Sequence, residues 1–141
     1  MPNHQFPLYF HEIYSSGLDR TARFPVDRYK LLAQKLSDLD QGNLISWLTP
    51  RLANQQEIQL VHEQDYVERF FNHQLTEKEI RRIGLRPWKK AIVERTLRLT
   101  GGALQALEQV LVYGHTIAGN KIGRAHVRTP VTSLSRMPSS A

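Results

Sequence analysis

Short apolar stretches of strand length alternate along this chain with longer segments of helical periodicity. Phe6–His11 and Ile45–Leu48 are such stretches, and a third begins at Thr116. Between them lie an amphipathic segment from about Val26 and a long helical pattern opened by Pro87. Because strands that alternate with helices usually pair in parallel, this order predicts an α/β protein with a mostly parallel sheet flanked by helices.

Residue type marks several helix boundaries. Asn54 and Thr76 each precede an acidic residue by three positions, which is the capping-box pattern that begins a helix. Gly84 is placed to end the second of these helices. The long helical pattern contains Gly101 and Gly102, and each glycine weakens a helix by about 1 kcal/mol relative to alanine. We expect this glycine pair to let a neighbouring backbone approach closely.

Residues 121–141 contain no aromatic or acidic side chain and follow no regular period. Written back into codons, 122–127, 129–131 and 135–141 match a common sequencing-library adapter in one frame, while Arg128 needs a one-base change from a stop codon. The gap between the matching stretches also fits the variable index of the adapter. We therefore expect 121–141 to be a translated adapter outside the fold. The other interpretation is a genuine disordered basic tail.

The charge balance changes once this segment is set aside. The 141 residues carry a formal charge of +6, and removing the three arginines of 122–141 leaves about +3. A domain with this charge is only mildly basic, so net charge gives little support to a nucleic-acid partner. The absence of cysteine excludes disulfides, thiolate metal ligands and a cysteine nucleophile. No signal-peptide pattern or bilayer-length apolar run occurs, so a soluble cytoplasmic protein is expected.

Four stretches together resemble one enzyme superfamily. They are RFPVDRYKLLAQKL at 23–36, LVHEQDYVERF at 60–70, EIRRIGLRPWKKAIVERTLRLTGGALQAL at 79–107 and YGHTIAGN at 113–120. In this order and spacing they resemble the N-terminal part of bacterial histone deacetylase superfamily members, specifically the class IV-like subgroup. The resemblance implies that residues 1–120 are the N-terminal part of an arginase/deacetylase fold, with a parallel central sheet flanked by helices.

This resemblance also implies a chemistry. Members of the superfamily are zinc-dependent hydrolases that remove acetyl or longer acyl groups from lysine amines or related amides. Zn²⁺ polarises the amide carbonyl and lowers the pKa of its water, while a nearby histidine takes the proton. The family's tandem histidines and Asp-x-His zinc ligands have no counterpart in this sequence. We therefore expect no catalytic residue, no metal ligand and no deacylase activity in this chain, although the parent protein would act on acylated lysine or a small amide.

Two elements of a substrate site carry over from the resemblance. Arg23 matches a family arginine that lines the internal cavity from which acetate leaves, and a bidentate, permanently charged guanidinium suits that role. The alternative is a solvated or helix-capping arginine. Leu85, Arg86, Pro87 and Trp88 match a loop at the rim of the acyl tunnel. This loop lacks the aspartate with which class I relatives hold the substrate backbone, so the same mode of peptide binding is not implied.

Other interpretations of the same residues remain open. His62 and His11 lack metal-ligand partners at suitable spacing, so we expect structural or surface roles for both. Phe70 and Phe71 are expected in core packing rather than in a partner groove. Five cationic side chains surround Trp88 in the sequence: Arg81, Arg82, Arg86, Lys89 and Lys90. The alternative function is therefore a small basic module with a disordered basic tail that binds nucleic acid or protein. For the deacylase interpretation we expect neither a nucleic-acid nor a membrane partner.

Overall fold

The computed structural model describes residues 5–19 and 25–120, which form an α/β arrangement. Three strands form one parallel sheet in the order β2–β1–β3: β1 (Phe6–Tyr9), β2 (Ile45–Leu48) and β3 (Gly119–Asn120). In this register Tyr9 aligns with Leu48 on one side and with Asn120 on the other. The prediction of an α/β protein with a parallel sheet is confirmed at this level.

Five α-helices and one 3₁₀ helix accompany the described strands. They are the 3₁₀ helix at Glu12–Ser15, α1 (Arg28–Leu39), α2 (Gln55–Gln59), α3 (Gln64–Phe71), α4 (Glu77–Ile83) and α5 (Lys90–Leu111). Asn54 and Thr76 form the predicted capping boxes, and Gly84 ends α4 in the left-handed conformation. Within the described ranges, no helix is both long enough and apolar enough to cross a bilayer.

Two strands are shorter than the sequence predicts. β1 ends at Tyr9 because His11 caps the 3₁₀ helix, with its Nδ1 accepting from the amide of Ile13 at 3.0 Å. The predicted third strand is reduced to Gly119–Asn120. Gly114 has a φ of +74°, so the chain reverses after α5 before it can join the sheet.

Buried side chains form two clusters on either side of α5. The larger joins α2 and α3 to the first half of α5: Ala53, Ile58, Tyr66, Val67, Phe70, Leu75, Val93 and Leu97. The smaller joins the 3₁₀ helix, α1 and α5: Ile13, Tyr14, Tyr29 and Leu99. Phe70 is buried in the larger cluster and Phe71 packs against it, as the sequence predicts.

The apolar side chains of α1 and α5 are only partly buried. In α1, Tyr29 is buried whereas Leu39 is 64% exposed. In α5, the buried residues lie between Ile92 and Gly102, and Leu111 is 72% exposed. The 22 residues of α5 extend over about 33 Å. The four residues of β1 extend over only about 13 Å. The last turns of α5 therefore continue past the described strand on which the helix packs.

Candidate functional site at the carboxyl end of the sheet

The carboxyl ends of the three parallel strands meet at one edge of the sheet, which is where open α/β sheets bind ligands. Leu48, Tyr9 and Asn120 end β2, β1 and β3 there. The first half of α5 reaches this edge, because Arg95 contacts the 3₁₀ helix after β1 and Leu99 contacts the end of β3. We therefore take this edge as the candidate functional site.

Asn120 joins the end of β3 to two other elements. Its Oδ1 accepts a hydrogen bond from the Tyr14 hydroxyl at 2.9 Å, and its Nδ2 donates to the carbonyl of Leu99 at 2.7 Å. The hydroxyl of Tyr14 also lies 3.2 Å from the carbonyl oxygen of Arg98. Burial raises the pKa of Tyr14, so its hydroxyl stays protonated at neutral pH and acts as the donor. The end of β3 is thus held against both the 3₁₀ helix and α5.

The glycine pair of α5 permits this close packing. A Cβ atom on Gly102 would lie 2.8 Å from Oδ1 of Asn120, and a Cβ atom on Gly101 would overlap the carbonyl oxygen of Arg51. Because neither position has room for a side chain, α5 approaches both the end of β3 and the loop after β2. The close approach expected from the sequence is confirmed.

Arg95 places a cation inside this edge. It is 4% exposed, its Nε donates to the carbonyl of Tyr14 at 3.0 Å, and its guanidinium lies 5.5 Å from the centre of the Tyr29 ring. Burial lowers the pKa of Arg95, but a guanidinium remains protonated in a protein. Sequence reasoning missed this residue. The available signal was its position between Ile92 and Leu99, on the apolar side of α5.

Arg51 holds the loop that follows β2. Its guanidinium makes two 2.7 Å hydrogen bonds to the carboxylate of Glu57, and its amide donates to Oε1 of Gln105 at 2.7 Å. Glu108 adds a longer contact of 3.7 Å to the same guanidinium. The hydrogen bond from Arg51 lowers the pKa of Glu57 to about 2. These contacts fix the backbone that faces Gly101.

An open groove of about 370 Å³ lies between α1 and the end of β2. Its lining residues are Phe10, Ala33, Gln34, Ser37, Asp38, Trp47, Leu48 and Thr49. The rings of Phe10 and Trp47 meet edge to face with 6.2 Å between their centres. The groove therefore combines an aromatic wall on the sheet with polar side chains from α1.

The loop predicted at the tunnel rim lies beside the segment that follows the 3₁₀ helix. It comprises Leu85, Arg86, Pro87 and Trp88 and directly precedes α5. The carbonyl of Arg86 accepts a hydrogen bond from the amide of Asp19 at 2.9 Å, so the loop touches the segment after the 3₁₀ helix. Arg86 is exposed, whereas the ring of Trp88 packs edge-on against Phe70 at 6.2 Å. The loop thus presents Arg86 to solvent and anchors itself in the core through Trp88.

Two further predictions fall on residues that are not described. Arg23, predicted in the substrate cavity, lies outside the described residues, and so does the predicted adapter segment 121–141. Asp19 is the last described residue before Arg23. Because Asp19 binds the backbone of Arg86, the segment that leads to Arg23 starts beside the predicted rim loop.

The two histidines considered as metal ligands have other surroundings. Nδ1 of His11 accepts the capping hydrogen bond of the 3₁₀ helix. Both ring nitrogens of His62 are buried without a hydrogen-bond partner, and burial lowers the pKa of this imidazole. Across 5–19 and 25–120, no group of three or more histidine, cysteine, aspartate or glutamate side chains could hold a metal ion.

The cationic cluster considered for nucleic-acid binding is exposed. Its members are Arg81, Arg82, Arg86, Lys89 and Lys90. Arg81 pairs with Glu77 at 3.3 Å, which partly neutralises one end of the cluster. The ring of Trp88 packs against Phe70 and so is not an open platform for base stacking. The surface formed by these five side chains is thus positively charged, but the ring of Trp88 is not fully exposed on it.

Comparison with known proteins adds one relative. No protein family model matches the chain. The chain is 34% identical over 125 residues to an uncharacterized protein of Picosynechococcus sp. (strain ATCC 27264 / PCC 7002 / PR-6). The match covers 89% of this chain and 41% of the relative. The chain therefore spans about two fifths of the length of the relative that it matches.

Proposed function

We propose that this chain is the N-terminal part of a zinc-dependent deacylase with the arginase/deacetylase fold. The observation that carries the proposal is the braced carboxyl edge of the parallel sheet, where Asn120 ties β3 to Tyr14 and to α5. In this proposal the edge supports a substrate site whose zinc ligands and proton acceptor come from a part of the parent protein outside this chain. The match to a longer relative supports the assignment of these groups to a part of the parent protein outside this chain.

In the same proposal, this chain shapes the entry and the floor of the substrate site. Residues 85–88 line the rim of an acyl tunnel, and Arg23 holds the carboxylate that leaves after hydrolysis. The backbone hydrogen bond between Asp19 and Arg86 supports this arrangement, because it holds Asp19, the last described residue before Arg23, against the rim loop. The substrates are acylated lysine or small amides.

The test compares two proteins in one assay. The purified 141-residue chain, supplied with zinc, is expected to release no acetate from an acetyl-lysine peptide above a metal-free control. The full-length Picosynechococcus protein is expected to hydrolyse acetyl-lysine or longer acyl-lysine amides, and chelation should abolish its activity. Turnover by the short chain, or a full-length relative that is inactive with every acyl length tested, would overturn the proposal.

A second candidate is binding of nucleic acid by a small basic module, and the exposure of the five cationic side chains favours it. Its test is fluorescence anisotropy with a labelled single-stranded RNA over a range of NaCl concentrations. Tight binding that weakens steeply with salt, and that the double substitution Arg82→Glu and Lys90→Glu removes, would support this candidate. Weak binding that the substitutions leave unchanged would eliminate it.

A further inference from the structure

We propose that the outer face at the end of α5 is a docking surface for an amphipathic helix from the part of the longer relative that lies outside the match. We call this surface the α5 end patch, and its members are Leu107, Val110 and Leu111. The inference rests on the part of the proposed function that makes this chain one portion of a larger domain. It does not depend on the deacylase chemistry.

The members of the α5 end patch form one apolar face. Positions three and four apart are neighbours on a helix, so Leu107 lies beside both Val110 and Leu111. Their exposed fractions are 54%, 38% and 72%, respectively. Aliphatic side chains grouped in this way lose solvent-exposed area when another apolar face covers them.

This face continues a stripe that is covered earlier in the helix. Val93 and Leu97 pack into the larger core cluster with α3. Leu104 and Leu111 follow Leu97 at steps of seven residues, which keeps them on the same side of the helix. Leu97 is 6% exposed, Leu104 is half-buried and Leu111 is 72% exposed. Within residues 5–19 and 25–120, the layer of helices that covers the stripe over the first half of α5 therefore stops before the helix ends.

The opposite side of the same helical turns already contacts other parts of the protein. Gln105 and Glu108 contact Arg51, and Nε2 of Gln109 donates to the hydroxyl of Tyr9 at 2.9 Å. These contacts fix the rotation of α5 about its axis. The α5 end patch is thereby held away from the sheet, where it extends the helical layer to which α3 belongs.

The size of the patch favours a helix of the same domain over a second copy of the chain. A stable dimer buries about 800 Å² on each partner, which is more than three aliphatic side chains provide. A helix that belongs to the same polypeptide needs less area, because the connecting chain raises its effective concentration. The relative supplies such polypeptide, since more than half of its length lies outside the match.

The test co-expresses the tagged 141-residue chain with the unmatched part of the Picosynechococcus protein as a separate polypeptide. We expect the two to co-purify as a one-to-one complex whose mass is checked by light scattering. The double substitution Leu107→Glu and Leu111→Glu should reduce the co-purified polypeptide roughly tenfold or more, because it places two carboxylates in the buried contact. Circular dichroism of the variant alone should match the unsubstituted chain, since both leucines are exposed.

The matched control is Leu39→Glu, at the end of α1. This leucine is 64% exposed, and α1 lies beside β2 at the far edge of the sheet from β3. Co-purification should be unchanged by this control.

Failure of the unsubstituted pair to co-purify, retention of the complex by the double variant, or an equal loss with Leu39→Glu would overturn the proposal. A dimer of the chain alone that the double variant dissociates would assign the patch to a second copy instead. A complex that forms without deacylase activity would count against the proposed chemistry only.

Discussion

The hydroxyl of Tyr14 donates a 2.9 Å hydrogen bond to Oδ1 of Asn120, although 106 positions separate the two residues in the sequence. This contact connects the 3₁₀ helix after β1 with the end of β3. The amide of the same Asn120 side chain donates to the carbonyl of Leu99 within α5. One short polar side chain therefore holds three elements together at the edge of the sheet where α/β proteins bind ligands.

Replacing this side chain should weaken the whole fold. We expect Asn120→Ala to lower the free energy of unfolding by about 1–3 kcal/mol, because partners buried in the core lose their hydrogen bonds. Urea denaturation would measure the loss. In a double-mutant cycle with Tyr14→Phe, the two losses should be less than additive by at least about 0.5 kcal/mol. Strictly additive losses would show that the two side chains are not coupled.

Gly101 should not tolerate even a methyl group. On an exposed helix, Gly→Ala adds about 1 kcal/mol of stability. Here the added Cβ atom would overlap the carbonyl oxygen of Arg51, so we expect Gly101→Ala to destabilise the protein by about 1–3 kcal/mol net. The control is Gly42→Ala, where the nearest atom would lie 3.6 Å from the new Cβ and the change should stay within about 0.5 kcal/mol. A more stable Gly101→Ala protein would contradict the observed packing.

The salt bridge between Arg51 and Glu57 should make stability depend on acid pH. The guanidinium lowers the pKa of Glu57 to about 2 in the folded protein, whereas the unfolded chain takes up this proton at the usual, higher pKa. The stabilisation is thus complete above the unfolded pKa and is lost as the pH falls towards 2. At pH 7 we expect Glu57→Gln to cost about 1–2 kcal/mol, and near pH 2 the two proteins should be almost equally stable.

The matched control for this experiment is Glu77→Gln. Glu77 also pairs with an arginine, Arg81, but the two side chains are 88% and 72% exposed. Its substitution should change the free energy of unfolding by less than about 0.5 kcal/mol at neutral pH. An equal cost for Glu57→Gln at pH 7 and at pH 2 would show that the salt bridge does not produce the pH dependence.

His62 should produce a separate dependence at higher pH. Burial lowers the pKa of its imidazole, and neither ring nitrogen has a hydrogen-bond partner. The unfolded chain therefore binds the proton first as the pH falls, so stability decreases below the usual histidine pKa of about 6.5. Relative to His62→Leu, the unsubstituted protein should become progressively less stable as the pH falls from 7 to 5.5. Parallel stability profiles for the two proteins over this range would show that His62 is not responsible.

Local signals predicted those parts of the fold that depend on nearby residues. The capping boxes at Asn54 and Thr76, the helix end at Gly84 and the strand Ile45–Leu48 all follow from residues within a few positions. Alternation of strands and helices was sufficient for the α/β class with a parallel sheet. For the candidate site, the resemblance implied a rim loop at 85–88. The structure joins Arg86 of this loop to Asp19, and the role of the loop at a tunnel rim stays a prediction.

The tertiary structure alone decided which surfaces are covered and which polar groups meet. Arg95 is buried and Leu111 is exposed, although the hydrophobicity of the two side chains alone predicts the reverse. The bond between Tyr14 and Asn120 has no local signature, because neither residue has its partner within reach until β1 and β3 pair. Residue type determines the charge, polarity and hydrogen-bonding groups of a side chain, and the spacing of nearby residues determines whether it lies on a helix or a strand. Burial and hydrogen bonding across the sheet depend on distant segments, so only the packed chain determines them.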